Sequence, residues 1–342
     1  MKTKVSVFDQ LGETTVMRYT LINTQQTRVS VLSHGGILQE FVVCEHGVER
    51  SLIWSLPSIA DYRRIGLSLC QSIGRVAGRI GGAGFTIDGR HHQIDMNEQH
   101  HSLHGGYHGF NTLDFSGEVV NHGDQASVIL KHRILATDDH YPGNLDLQIK
   151  FTLDENNRLT VSYTGATDAP TLFNPTCHVY WNVTDDRTSL KQQWLQINGE
   201  RRLQVDQEKV PTGEKVAVDQ TAYDFRHPQC VQTALDNLAN TTGGVEFDDA
   251  YEVTAAADQP VAIVGDTSGQ RQVKIYSKRN SMVIYTADPF NAENEAAHRY
   301  NALATEAQTL PDAIHHPGFG KIVLWPDAPV THTISYQYES LK

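Results

Sequence analysis

Four stretches of the chain carry side chains able to move protons or hold a polar ligand. HHSLHGGYHGF, residues 100–110, places four histidines within nine positions. TLFNPTCHVYWN, residues 171–182, sets His178 among Phe173, Tyr180 and Trp181, the mixture of aromatic and polar groups that lines sugar pockets. ALATEAQTLPDAIHHPGF, residues 302–319, holds Glu306 in a run whose only other carboxylate is Asp312, and burial there would raise its pKa. GRVAGRIGG, residues 74–82, contains Arg79, whose planar and permanently charged donors suit hydroxyls or a carboxylate.

Taken singly, these stretches leave several chemistries open. His100 and His104 have the i, i+4 spacing of helical zinc ligands, but HExxH is absent. Gly105, Gly106 and Gly109 point to a loop, where that spacing fixes no geometry. The expectation is no metal, with His104 a pocket donor held by backbone that the glycines let approach, and His100, His101 and His108 loop or pocket-wall residues. His178 reads equally as a core histidine bonded to a carbonyl, and Glu306 as a surface residue. No GK[ST] follows the glycines of 74–82, which argues against a phosphate loop.

The elements that must position these groups read as strands. Leu145, Leu147, Ile149, Phe151 and Leu153 alternate, Glu155-Asn156-Asn157 turns the chain, and Leu159, Val161 and Tyr163 resume. The same pattern predicts strands at Ala126–Leu135 and Thr331–Tyr338, a hairpin over Gly84–Ile94 turning at Asp88-Gly89, and another joining Gln272–Tyr276 to Met282–Thr286. Helices are expected only at Val231–Asn240 and within Glu293–Asn301. The prediction is all-β: one large antiparallel β-sandwich domain over residues 1–342, with few short helices.

Composition narrows the partners. Lys and Arg total 28 against 40 Asp and Glu, a formal charge of −12, which disfavours nucleic acid and anionic membranes. Neither a signal-peptide core nor a membrane-spanning stretch is found, so a cytoplasmic protein is expected. Cys44, Cys70, Cys177 and Cys230 form no CxxC pair and read as reduced thiols.

In order, GRVAGRI (74–80), LHGG (103–106), YPG (141–143), NPTCH (174–178), FDDAY (247–251) and TEAQTLPDA (305–313) resemble the aldose 1-epimerase, or galactose mutarotase, family. The likeness spans most of the chain. It implies an antiparallel β-supersandwich with a pocket on one concave face. It also implies a sugar-binding arginine at Arg79, histidines at His104 and His178, a sugar-binding aspartate at Asp248 with Asp249 as the one-residue alternative, and a glutamate base at Glu306. Gly78 stands where the family often has Asn, and Val283 where many relatives carry Gln. These two departures bear on sugar preference rather than reaction type.

Anomer interconversion needs a proton taken from the anomeric hydroxyl and another given to the ring oxygen. Glutamate can take the first at neutral pH and histidine can give the second, without metal or cofactor. The resemblance therefore implies a mutarotase for free aldohexoses such as galactose or glucose, with Glu306 as base, His178 as acid and His104 supporting. Phe290, Tyr180 or Trp181 would stack on the sugar or simply pack the core. A non-catalytic sugar-binding module and a hexose-6-phosphate epimerase are the alternatives. The latter needs a basic cluster, for which Arg63, Arg64 and Arg75 are candidates. The partner is a small-molecule aldose, the assembly a monomer or homodimer.

Overall fold

Alternation becomes antiparallel pairing along the middle of the chain. Leu145–Asp154 and Arg158–Thr167 run in continuous register from Leu145↔Thr167 to Leu153↔Leu159, and Asn157 makes the turn at φ 62°. Apolar side chains of both strands lie buried on one face, as a period of two requires. In this computed structural model, which describes residues 1–256, 258–290 and 299–341, these strands belong to a nine-stranded sheet. Its order begins at Ser116–Asn121, passes through Gln125–Ile134, Leu145–Asp154, Arg158–Thr167, Val330–Ser340, Arg271–Ser277, Ala262–Asp266 and Gln193–Ile197, and ends at Gln229–Cys230.

A six-stranded sheet carries the order Val179–Trp181, Ala302–Gln308, Ser281–Ala287, Asp248–Glu252, Arg201–Val205, Pro211–Ala217. A five-stranded meander runs from Lys2–Leu11 to Val48–Ser51. All pairings between these strands are antiparallel.

Trp181 joins the three sheets. Its ring meets Phe41 of the five-stranded sheet edge-on at 6.4 Å and lies 5.3 Å from Tyr336 of the nine-stranded sheet, while its Nε1–H donates to Thr305 Oγ1 at 2.8 Å. Burying a side chain such as Phe41 contributes roughly 1.5–3 kcal/mol, so this junction is a main source of cohesion. Trp181 is fully buried and packs the core, which removes it from the candidates for sugar stacking.

The hairpin expected from Gln272–Tyr276 and Met282–Thr286 does not form. The two strands lie in different sheets, Arg271–Ser277 pairing with Ala262–Asp266 and Val330–Ser340, and Ser281–Ala287 with Asp248–Glu252 and Ala302–Gln308. The polar link between them is a crossover. Arg279 is buried within it, donating to Asn174 Oδ1 at 3.1 Å and to the Ala307 carbonyl, so residues resembling a surface turn carry the chain through the interior.

The helix Val231–Thr242 forms where periodicity placed one and ends at Gly243, whose φ of 72° suits glycine. Ile59–Ile65 forms without having been expected, since seven residues are too short for a recognisable stripe; Ser58 Oγ caps it by accepting from the Asp61 N–H. The expectation for Glu293–Asn301 falls largely outside the described residues. Among those described, no helix is long and apolar enough to cross a membrane, and all four cysteines are free thiols.

Candidate active site

A cavity of about 340 Å³, at the lower end of the range for small-molecule sites, opens beside the six-stranded sheet. Arg79, His104, His178, Asp248 and Glu306 all line it. Residues up to 227 positions apart in the sequence, as Arg79 and Glu306 are, therefore meet in one place.

Glu306 and Gln308 are two positions apart on Ala302–Gln308 and face the cavity together. Between them and beside them, Ala307 and Thr305 turn to the opposite, core side. Val283 and Ala250 follow across the sheet from Glu306 and also line the cavity. On Asp248–Glu252 the two aspartates separate. Asp248 faces the cavity, whereas Asp249 turns away and pairs with Arg202 at 3.3 Å, as neighbours on one strand must. His178 immediately precedes Val179–Trp181; its N–H donates to the Gln71 carbonyl at 3.0 Å and its own carbonyl accepts from the Cys70 N–H at 2.9 Å. Its ring stacks on Tyr180 at 5.0 Å, and Tyr180 too lines the cavity.

His104 is fixed through its backbone and ring together. Leu103 pairs with Arg79, the His104 N–H donates to the Gly78 carbonyl at 3.1 Å, and the Gly78 N–H donates to His104 Nδ1 at 3.2 Å. An Nδ1 that accepts must leave the proton of the neutral ring on Nε2, so His104 is a donor. Gly105 permits this loop: at φ 90° an added Cβ would stand 1.9 Å from the Gly74 carbonyl oxygen. Gly78 is also constrained, with φ 76° and Pro311 Cβ 3.1 Å from where its own Cβ would sit.

The catalytic candidates are close. His178 Nε2 lies 3.4 Å from Glu306 Oε1, and the His104 and His178 rings stand 5.5 Å apart at 86°. Burial pushes the Glu306 carboxyl up to about 8, reinforced by the Asp248 charge and opposed by Arg79 and Arg279. Burial likewise pulls His178 down to about 4, and holds His104 well below the usual histidine range with help from His178 and Arg79. The expectation of an ionised Glu306 beside a charged His178 is therefore altered for the unliganded pocket. Desolvation favours the neutral form of each.

Arg79 donates twice to Glu98, at 2.6 and 2.8 Å, and its Nη1 lies 4.0 Å from Asp248 Oδ2. Glu98, Glu246, Lys209 and Gln308 also line the cavity, and sequence reasoning missed all four. The only signal for Gln308 was its spacing of two from Glu306. Glu98 follows from the pairing that brings residues 97–104 beside Arg79, which no local pattern announces.

Other expectations fall outside the cavity. Arg75 is buried, bonded to Asp139 at 2.5 and 2.9 Å, and Arg63 and Arg64 lie exposed on Ile59–Ile65. They form no basic cluster at the site. Phe290 is exposed and packs against Trp54 at 4.6 Å. His100 and His108 are exposed, while His101, expected in the loop or the pocket wall, does not line the cavity and is buried, its Nδ1 accepting from the Gly82 N–H at 3.0 Å and its Nε2 bonded to Glu208 at 2.9 Å. For a metal, the donor set would be His104, His178 and Glu306, whose ligand atoms lie within 4.8 Å of one another, rather than the His100–His104 pair.

Comparisons with known proteins identify the family. A profile of the aldose 1-epimerase family matches residues 17–337. A maltose epimerase from Levilactobacillus brevis is 48% identical over 338 residues, 99% of each chain, and an aldose 1-epimerase from Streptococcus thermophilus is 35% identical over 99% of each. The crystal structure of a galactose 1-epimerase from Lactobacillus acidophilus shares the fold at a TM-score of 0.86 and 24% identity, covering 100% of this chain and 99% of that one. Match, coverage and identity together place the chain in the aldose 1-epimerase family, as an isomerase.

Proposed function

We propose that the protein interconverts the α and β anomers of a free reducing aldose, with Glu306 taking the proton of the anomeric hydroxyl and His178 giving one to the ring oxygen. The observation that carries this reading is a carboxyl and an imidazole, 3.4 Å apart and buried in the cavity wall, with Glu306 Oε2 and His178 Nδ1 free of hydrogen-bond partners among the described residues. An anomeric hydroxyl donating to the carboxylate would stabilise its charged form and offset the desolvation that otherwise keeps it protonated. Ring opening then moves one proton onto Glu306 and one off His178. That product state, neutral acid beside neutral imidazole, is the state burial favours, so the pocket's electrostatics suit the open-chain sugar. Closure on the other face of C1 reverses both transfers.

His104, with Nε2–H as donor, supports a sugar oxygen during opening, and Arg79 and Asp248 bind hydroxyls. Maltose is the substrate supported most strongly, through the 48% identical maltose epimerase, with glucose and galactose as the monosaccharide alternatives. A hexose phosphate fits less well, because Arg79 and Lys209 are both engaged by carboxylates and Glu98, Glu246, Asp248 and Glu306 share the cavity. The same reading takes residues 1–342 as one domain, since one apolar cluster runs from Val16 to Tyr338. Polarimetry of fresh α-D-glucose, α-D-galactose and maltose with wild type, Glu306→Gln and His178→Asn tests it. Acceleration lost in both variants is expected, and full activity in either would refute the assignment.

A further inference from the structure

Lys209 occupies the tip of the hairpin formed by Arg201–Val205 and Pro211–Ala217. A tight turn holds it there. Asp206 Oδ1 accepts from the N–H groups of Glu208 and Val210 at 2.9 and 3.0 Å, the Lys209 N–H donates to the Asp206 carbonyl at 3.1 Å, and Lys209 itself has φ 61°. Pairing between this hairpin and Asp248–Glu252 is confined to Arg201 and Arg202, so the tip reaches the cavity without strand support.

Side chains tie the tip down instead. Lys209 Nζ donates to Glu246 Oε1 at 2.7 Å and to Asp248 Oδ2 at 2.9 Å. One residue earlier, Glu208 Oε2 accepts from His101 Nε2 at 2.9 Å, and the Pro211 carbonyl accepts from His316 Nε2 at 3.0 Å. Since His101 Nδ1 accepts from Gly82, its Nε2 carries the proton, so a neutral ring already suffices to hold Glu208. Burial works against the Lys209 charge, but Asp248 and Glu246 outweigh it and hold the ammonium above the usual lysine range.

We propose that Lys209 is a substrate-binding residue, whose ammonium and the Asp248 carboxylate together grip neighbouring hydroxyls of the sugar, and that His101, acting through Glu208, positions it. An ammonium has three donors; two are directed to Glu246 and Asp248, and the third is left for a ligand in the cavity that Lys209 lines. Asp248 accepts where Lys209 donates, and a hydroxyl does both. Two adjacent hydroxyls can therefore each bond to one or both groups without leaving either charge unpaired. This assigns one member of the histidine-rich stretch a task distinct from that of His104.

The inference rests on the proposed mutarotase reading and is tested separately from it. With wild type active, Lys209→Met should raise KM at least tenfold while kcat stays within threefold, the pattern of a binding contact made equally in ground and transition states. Glu208→Ala should raise KM several-fold, and Glu208→Gln, which keeps an acceptor for His101, should restore it. A crystal structure of Glu306→Gln with α-D-glucose should place Lys209 Nζ within about 3.2 Å of a sugar oxygen. A wild-type KM in Lys209→Met, or a bound sugar that does not meet Lys209, would overturn the inference while leaving the mutarotase reading intact. A wild type that accelerates no sugar would overturn both.

Discussion

His178 Nε2 lies 3.4 Å from Glu306 Oε1, and burial pushes the carboxyl up to about 8 and the imidazole down to about 4, which sets a window in which the pair is expected to carry one titratable proton. Below that window both groups are protonated and no base remains. Above it both have lost their protons and no acid remains. The dependence of kcat/KM on pH should therefore be bell-shaped with limbs near those two values. An acid limb near 6.5 with no alkaline limb would mean that His178 titrates as an exposed histidine and that burial does not control the pair.

The same burial links Glu306 to stability. Its folded pKa of about 8 lies above the ordinary value of 4.5, so the folded state keeps a proton that the unfolded chain releases. Stability from this group is present below the unfolded value and is lost as pH rises toward about 8. Glu306→Gln has no such proton to hold, and its stability relative to wild type should rise with pH across the window, by on the order of 1 kcal/mol per pH unit. Paired denaturant titrations at pH 5 and pH 8 measure it; parallel behaviour would contradict the raised pKa.

Backbone shape at the first histidine is equally exposed to test. Gly105→Ala would drive a methyl group to 1.9 Å from the Gly74 carbonyl at φ 90°, and should destabilise by at least about 3 kcal/mol as the loop shifts. Gly89→Ala, where nothing lies within 4 Å of the added Cβ, should cost only about 1 kcal/mol for its positive φ. Equal melting temperatures in the two variants would show that the 103–106 loop is not locked in this way.

Much of this was readable from the residues, and what was not has identifiable causes. Alternation located the central strands because each has one buried face. It did not find Gln308 beside Glu306 or separate Asp248 from Asp249, because both readings need the strand bounds that only the structure supplies. It misjudged the link at 277–280, because a lysine, an arginine and an asparagine in succession look like a turn, and nothing local records that Arg279 is satisfied inside the protein by Asn174 and Ala307. His101 was missed for the same reason: its partners, Gly82 and Glu208, are 19 and 107 positions away. The protonation of the Glu306–His178 pair was likewise set by burial, which is a tertiary property.

The close approach of His104, His178 and Glu306 donors makes metal dependence testable. Acid–base ring opening needs only one carboxyl and one imidazole, so prolonged dialysis against a strong chelator should leave turnover within experimental error of untreated enzyme. Loss of activity on chelation, with recovery on adding a divalent ion, would assign these three side chains to a metal instead.

The most direct test is the optical rotation of freshly dissolved α-D-glucose and maltose, followed with wild-type protein and with Glu306→Gln. The account requires wild type to hasten equilibration of at least one sugar and Glu306→Gln to lose about 10²- to 10⁴-fold of that acceleration while remaining folded. Equal acceleration by the two proteins would remove Glu306 as the base and, with it, the proton-sharing pair on which the mechanism stands.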